Sequence, residues 1–404
     1  MNLQLPSVAG EKSCCGCYAC VDICPVNALS PILDKEGFLS VNIDNKKCIK
    51  CKKCIKACPV ISLKQPQNNR NSALYVAWTN NETIRKQGAT SGFFGSLAQF
   101  FLQNDNIVVG AVQDGFTTRH VICTEASDLP RLQGSKYQAS HLEGIYKRVL
   151  ELIESNKKIL FSGLPCQIAA LKCYLGSKAS SENLYTIDLI CGGVPSYSLA
   201  SLYQAHNPDV TGIKSFRNKE NGWKPLGFRY NLQVIKKDGS IEYRGDKNFL
   251  IRGFSSHLFI RRSCFHCKFA TAHHCSDITI GDFWGNKHYP EQHANGLSAV
   301  IIHTERGEEL IKKQSNIIMH PTDWLPFFEY NPRYWNRLSI ICPSVIERAI
   351  SSLLLRLSLK KKHDYLRGLL NIVDFLLKIR FILFSRLVNR CNRNIVQKEW
   401  IDYK

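Results

Sequence analysis

Cys14-x2-Cys17-x2-Cys20-x3-Cys24-Pro25 and Cys48-x2-Cys51-x2-Cys54-x3-Cys58-Pro59 decide how this chain is read, because each cysteine of the first run recurs 34 residues later in the second. An internal duplication is the simplest source of such a repeat. Three thiolates at two-residue gaps wrap one cluster, while the fourth, beside proline, reaches across to the other. The spacing assigns Cys14, Cys17, Cys20 and Cys58 to one 4Fe-4S cluster, and Cys48, Cys51, Cys54 and Cys24 to a second. Structural zinc sites are the alternative, but zinc asks for only four ligands per site at looser spacing. Cys15 has no counterpart in the second run and reads as a packed thiol rather than a ligand.

Outward from this block, the chain of 404 residues is long enough for two or three domains, each with its own core. Nine of the eighteen cysteines precede residue 59, which favours metal clusters over a disulfide framework. Met1 to Glu11 is short, mixed and interrupted by Pro6, so no secretory signal is read and a reducing, cytoplasmic compartment is expected. The formal net charge of +20 calls for an acidic partner, whether nucleic acid, anionic lipid, an acidic redox protein or an anionic substrate. The chain shows no groove-reading motif, which argues against nucleic acid. Part of the charge is regional, since Ser344 to Lys404 holds thirteen Lys/Arg against five Asp/Glu.

The polar run Ser62 to Ser72 separates the cysteine block from an alternating apolar segment at Leu74 to Trp78. Short apolar runs follow at Ile107 to Val112, Lys158 to Ser162, Tyr185 to Ile190 and Ser298 to His303. Helix-like stretches near Phe93 to Leu102, Leu142 to Ile153 and Gln167 to Tyr174 lie between them. That alternation predicts α/β organisation. Asp238-Gly239, between alternating runs at Phe228 to Ile235 and Ile241 to Tyr243, predicts a hairpin and hence a mixed sheet. The expected architecture, α+β or α/β, is a bacterial-ferredoxin-like domain (1–66), a mixed-sheet α/β flavin and iron-sulfur domain in two regions (73–155 and 156–343), and a basic helical tail (344–404).

Four further segments belong together: Gly88-Ala89-Thr90-Ser91-Gly92; Gly163-Leu164-Pro165-Cys166-Gln167; Asp188-Leu189-Ile190-Cys191-Gly192-Gly193-Val194-Pro195-Ser196; and Cys264-x2-Cys267 followed by Asp277-Ile278-Thr279-Ile280-Gly281-Asp282-Phe283-Trp284-Gly285. Jointly they resemble the coenzyme F420 hydrogenase/dehydrogenase beta-subunit family over roughly Tyr75 to His303. The resemblance implies an iron-sulfur flavoprotein oxidoreductase passing electrons between clusters and FAD. Its bacterial branch, which carries its own ferredoxin domain, often accompanies polysaccharide biosynthesis. The electron partner is a redox protein or a small-molecule acceptor. The rival reading is a flavin-free electron shuttle serving a partner reductase.

Cys166, Cys191, Cys264 and Cys267 stand at the family's motif positions, and four thiolates are what a third 4Fe-4S cluster requires. A Cys264/Cys267 pair with two buried thiols is the alternative, as is a zinc site recruiting His266, His273 or His274. Cys275 departs from the pattern just before Asp277 and puts the fourth ligand in question. The Gly88 to Gly92 turn precedes a helix-like run, so Thr90, Ser91 and Gly92 are candidates for flavin phosphate contact; Thr90 or Ser91 could equally be a helix N-cap. Lys136 and Tyr137, in the motif Gly134-Ser135-Lys136-Tyr137, are candidates for the flavin ring, a lysine there stabilising negative charge. A lysine in a surface turn would look the same. No catalytic residue is assigned; Phe216, Arg217, Lys219, Trp223 and Asp282 to Trp284 could line a site or sit in the core.

In the tail, Arg367, Asn371, Asp374, Lys378 and Ser385 recur at helical spacing and leave an apolar face from Leu369 to Phe381. Basic flanks at Lys360 to Lys362, Arg386 and Arg390 fit a helix lying on anionic lipid at the inner membrane face. Docking onto the protein's own body, or a dimer contact, would use the same face.

Overall fold

The computed structural model describes residues 8–10, 12–63, 72–217, 219, 232–244, 249–284, 289–293, 295–324, 327–328, 331, 334 and 342–359. The duplication is visible first in the backbone. Gly16 and Tyr18 take φ of 69° and 64°, and Lys50 and Lys52, 34 places on, take 55° and 62°. These left-handed residues fold each cysteine run back on itself, and each run closes in a four-residue helix, Ala19–Asp22 or Lys53–Lys56. Between the runs, β1 (Leu29–Leu33) and β2 (Leu39–Ile43) pair antiparallel.

Beyond this head the strands are β3 (Ala73–Thr79), β4 (Ile107–Asp114), β5 (Thr117–Cys123), β6 (Ser140–His141), β7 (Ile159–Gly163), β8 (Leu184–Leu189), β9 (Val210–Ser215), β10 (Leu232–Lys236), β11 (Ile241–Arg244), β12 (Ile278–Asp282), β13 (Ser298–Ile302) and β14 (Ile317–Pro321). Among the described residues, nine of them form one sheet in the order β14-β3-β13-β12-β8-β7-β4-β5-β6. Its centre, β12-β8-β7-β4, is parallel, and antiparallel strands flank it on both sides. Alternate residues of the central strands serve opposite faces, as a doubly covered sheet requires. Val108 and Leu160 meet Leu97 and Phe101 of the Phe93–Gln103 helix. Val109 and Phe161 meet Tyr146 of the Ile145–Glu154 helix and Ile168 of the Pro165–Leu175 helix. Cys17, Ala19 and Ala57 of the head join this second cluster, so the head shares the core of the sheet.

The hairpin expected at Asp238-Gly239 is present, with Gly239 at φ 80°. It does not enter the large sheet. It pairs with β9 in a separate three-stranded antiparallel sheet, because Leu232 and Val234 bury against Leu199, Leu202 and Tyr203 of the Tyr197–His206 helix. The large sheet is mixed for another reason, the antiparallel edges made by β5 and by β13, β3 and β14.

Polar contacts fix the head in place. The Asp22 carboxylate accepts the N–H of Gly144 (2.8 Å) and of Tyr146 (3.1 Å) at the start of the Ile145–Glu154 helix. Arg261 donates to the carbonyls of Cys14 (3.2 Å) and Leu39 (2.7 Å). Glu36, in the β1–β2 turn and 6% exposed, meets Arg348 at 3.1 Å, Arg262 at 3.4 Å and Arg356 at 3.8 Å, and accepts from the Ser352 hydroxyl at 2.6 Å. Arg348, Ser352 and Arg356 belong to the Val345–Leu359 helix, which also buries Leu354 and Leu355 beside Leu199. The apolar face expected at Leu369 to Phe381 lies outside the described residues. Among the described residues, no helix is long and apolar enough to cross a membrane.

Candidate functional site: thiol cavity and adjoining cleft

The head gathers its thiols as the repeat demands. Burial pushes the Cys20 thiol up, and the neighbouring Cys14, Cys58 and Cys54 thiols add to it. Cys54 is raised likewise, with Cys51 and Cys48 as its thiol neighbours, and burial above all lifts Cys58 to about 11. Thiols crowded this way repel as thiolates unless a cation compensates them, which is the electrostatic setting for iron. Backbone N–H groups already point at the sulfurs, Gly16 to Cys14 at 3.4 Å and Ala28 to Cys24 at 3.2 Å.

A second set of thiols converges where the parallel strands end. Cys166 opens the helix after β7 and Cys191 follows β8, while Cys264 and Cys267 come from the turn Arg262–His266 and the residue after it. All four line one cavity of about 90 Å³, and so does Cys15 from the head. Cys264 is pushed up by burial and by Cys191 and Cys267, while Arg261 pulls it down. The Cys15 sulfur accepts hydrogen bonds from the Cys166 and Cys17 thiols, which holds its own pKa well down and drives theirs well up. Cys15, read as a packed thiol, therefore faces the cavity beside the motif cysteines. Cys275 lies outside it, raised to about 12 by burial. Among the described residues, no three His, Cys, Asp or Glu side chains converge tightly enough to hold a single metal ion. That geometry argues against the zinc alternatives, and the donor set fits a cluster with iron at several corners.

A cleft of about 290 Å³ adjoins the cavity at the C-terminal ends of β7, β8 and β12, the usual ligand position in parallel sheets. Thr90, Ser91, Gly92, Lys136 and Tyr137 all line it. Gly92 begins the Phe93–Gln103 helix at φ 78°, and a Cβ there would fall 2.7 Å from the Thr79 Cγ2 and 2.9 Å from the Arg85 Cα. The Ser91 hydroxyl donates to Ser298 Oγ at 2.6 Å and accepts the Phe93 N–H at 3.3 Å. The Thr90 hydroxyl donates to the Asp282 carboxylate, which also pairs with Arg217 at 2.7 Å. The Lys136 amine turns inward and donates to the carbonyls of Arg131, Leu132 and Gln133 at 3.2, 2.8 and 2.8 Å; burial lowers it to about 7. Tyr137 stacks on Phe254 at 4.6 Å.

Sequence reasoning missed His120, a cleft residue on β5. Its Nε2 lies 2.9 Å from the Ser162 carbonyl, so that nitrogen carries the proton, and Nδ1 accepts the Ser140 hydroxyl at 2.7 Å. Burial holds it neutral, with the pKa down at about 4. The signal was the alternation of Thr118, His120 and Ile122 along an unread strand.

The fold and these sulfur sites define an iron-sulfur electron-transfer protein of the oxidoreductase type. Residues 13–61 and 40–87 each match a 4Fe-4S dicluster domain. Residues 156–321 belong to the coenzyme F420 hydrogenase/dehydrogenase beta-subunit family, matching its C-terminal part. A chain of the F420-reducing NiFe hydrogenase complex from Methanosarcina barkeri is similar at 16% identity, covering 76% of this chain and 93% of that one, with a TM-score of 0.42. No curated protein matches the chain.

Proposed function

We propose that the chain is an iron-sulfur flavoprotein oxidoreductase in which electrons pass from the head, through a third 4Fe-4S cluster held by Cys166, Cys191, Cys264 and Cys267, to FAD in the cleft and on to an acceptor. The observation that carries this reading is a shared wall: Ile190, Cys191, Gly193 and Val194 line both the thiol cavity and the cleft. Flavin, when bound, takes electrons singly and delivers them in pairs. The helix N-terminus behind Gly92 suits a phosphate through its free N–H groups, since Thr90 and Ser91 already have partners inside the fold. Arg217, anchored by Asp282, adds positive charge at the same end. Tyr137 supplies an aromatic wall, and Lys136, its amine fixed on three carbonyls, supplies charge beside it. The resemblance to bacterial relatives adds polysaccharide biosynthesis as the setting for the acceptor.

The test is composition of anaerobically purified protein. Iron should reach about twelve atoms per chain, four per cluster, and FAD should stay bound through gel filtration and bleach with dithionite. Lys136→Ala should weaken FAD retention or slow its reduction with iron unchanged. Fully loaded clusters without retained flavin would favour the shuttle reading; about eight iron atoms would remove the third cluster.

A further inference from the structure

The two halves of the duplicated head differ in a consistent way. Where the first run has Gly16, Tyr18, Ala19 and Asp22, the second has Lys50, Lys52, Lys53 and Lys56 at the equivalent places. The first set is turned inward: Tyr18 and Ala19 are buried, and Asp22 caps a helix of the main body. The second set is exposed, and Lys46 and Lys47 extend it. Six lysines thus fall within residues 44–56 against one carboxylate, Asp44, which itself contacts Lys47 at 3.9 Å. The collar surrounds Cys51, which is exposed, and Ile49, which is 61% exposed, while Cys17 and Cys58 deeper in the head are buried. Lys50 and Lys52 also hold left-handed backbone, at φ 55° and 62°. A non-glycine residue costs about 1–2 kcal/mol there. At Lys50, where the repeat has glycine, the fold bears that cost for a cation.

From this we infer that the lysine collar around Cys51 is the docking port for the electron donor, and that the donor is a small acidic protein with a one-electron centre near its own surface. Opposite charge steers the encounter and sets the on-rate, and exposed Ile49 gives the contact a dry centre. A phosphate backbone would use the lysines but gain nothing from the isoleucine. The transfer is balanced: one electron leaves the reduced carrier, which is oxidised by one unit, and reduces the iron-sulfur centre behind Cys51, with no bond made or broken and no proton moved. The inference rests on the proposed reading only in taking the flow as inward from the head, and it needs no flavin.

The experiment uses full-length, iron-loaded protein stripped of flavin, with a pre-reduced acidic plant-type 2Fe-2S ferredoxin as probe and cluster bleaching followed by stopped flow. Lys50→Gln/Lys52→Gln/Lys53→Gln should keep its iron and its dithionite reduction rate. It should lose about tenfold or more in second-order rate with ferredoxin at low salt, show a shallower salt dependence, and bind oxidised ferredoxin more weakly in titration. Should that variant lose iron, Lys46→Gln/Lys47→Gln/Lys56→Gln carries the same test outside the innermost loop. Lys157→Gln/Lys158→Gln, on the exposed end of another helix, should match the wild type. Wild-type rates and salt slopes in both collar variants would overturn the inference, as would an equal loss in the Lys157/Lys158 control. So would a collar that binds duplex DNA tightly while ferredoxin reduction proceeds at full rate in its presence.

Discussion

His120 sits in a polar cage that works only for a neutral ring: its Nε2 donates to a carbonyl and its Nδ1 accepts a hydroxyl. Protonation would place a second donor against the Ser140 hydroxyl in a site 5% exposed. The folded pKa near 4 lies below the ordinary 6.5, so between those values the unfolded chain binds the extra proton. Stability from this residue is therefore complete above about pH 6.5 and falls as the pH drops toward 4, by up to roughly 3 kcal/mol. His303, pushed down to about 3 by burial, acts in the same direction. Urea midpoints of loaded protein at pH 7.5 and 5 should diverge more for the wild type than for His120→Gln; parallel losses would clear the imidazole. The sulfur sites yield a second expectation. Cys264→Ser should lower iron by about four atoms per chain. Cys15→Ser should leave iron unchanged, because the four motif thiols remain, so a loss of iron there would make Cys15 a ligand.

At the scale of elements, the Glu36 turn decides how the head is held. Its carboxylate is buried among Arg348, Arg262 and Arg356, and only Arg348 is itself largely buried, at 15% exposed. Removing the charge leaves that guanidinium uncompensated, a change that costs about 3 kcal/mol in buried pairs. Glu36→Gln should lower the melting temperature by several degrees and hasten proteolysis between head and body, whereas Arg262→Gln, at a nearly half-exposed partner, should do little. Nothing local in the sequence announces this contact, since Glu36 and Arg348 are far apart in the chain and meet only once the head has docked. Elements whose signal is local were legible. The two cysteine runs, β3, β4, β7, β8 and β13, and the Phe93–Gln103 and Pro165–Leu175 helices all stand where periodicity put them. β5 was missed because Thr117 to His120 interrupts its apolar pattern with polar residues that face the cleft. The convergence of Cys15 with Cys166 was invisible for the same reason as Glu36: it is made by tertiary packing.

Taken as a whole molecule, the chain places its redox residues along a line of decreasing access, from exposed Cys51 through buried Cys17 and Cys58 to the thiol cavity and the cleft. The remaining basic feature, the tail, lies at the opposite end of the sequence. Its first helix belongs to the body, because Leu354 and Leu355 are buried and Arg348, Ser352 and Arg356 grip Glu36. Cutting the chain after Pro343 would therefore strip the clasp from the head and confuse folding with anchoring. Cutting after Leu359 leaves the clasp and removes the residues whose sequence alternates apolar and basic character. Along the outer side of the retained helix, Val345, Ile346 and Leu353 are exposed at 87%, 73% and 57%, apolar surface that continues toward the removed segment. A helix with an apolar face and lysine or arginine flanks binds anionic lipid through buried area plus charge attraction, at about 1 kcal/mol per cation near the surface. Full-length protein should therefore sediment with vesicles containing phosphatidylserine and be released by high salt. The chain ending at Leu359 should keep its iron and its melting temperature yet stay largely in the supernatant. If both forms sediment equally, the anionic surface is read by another part of the molecule; if neither does, the apolar face of the tail is covered by protein.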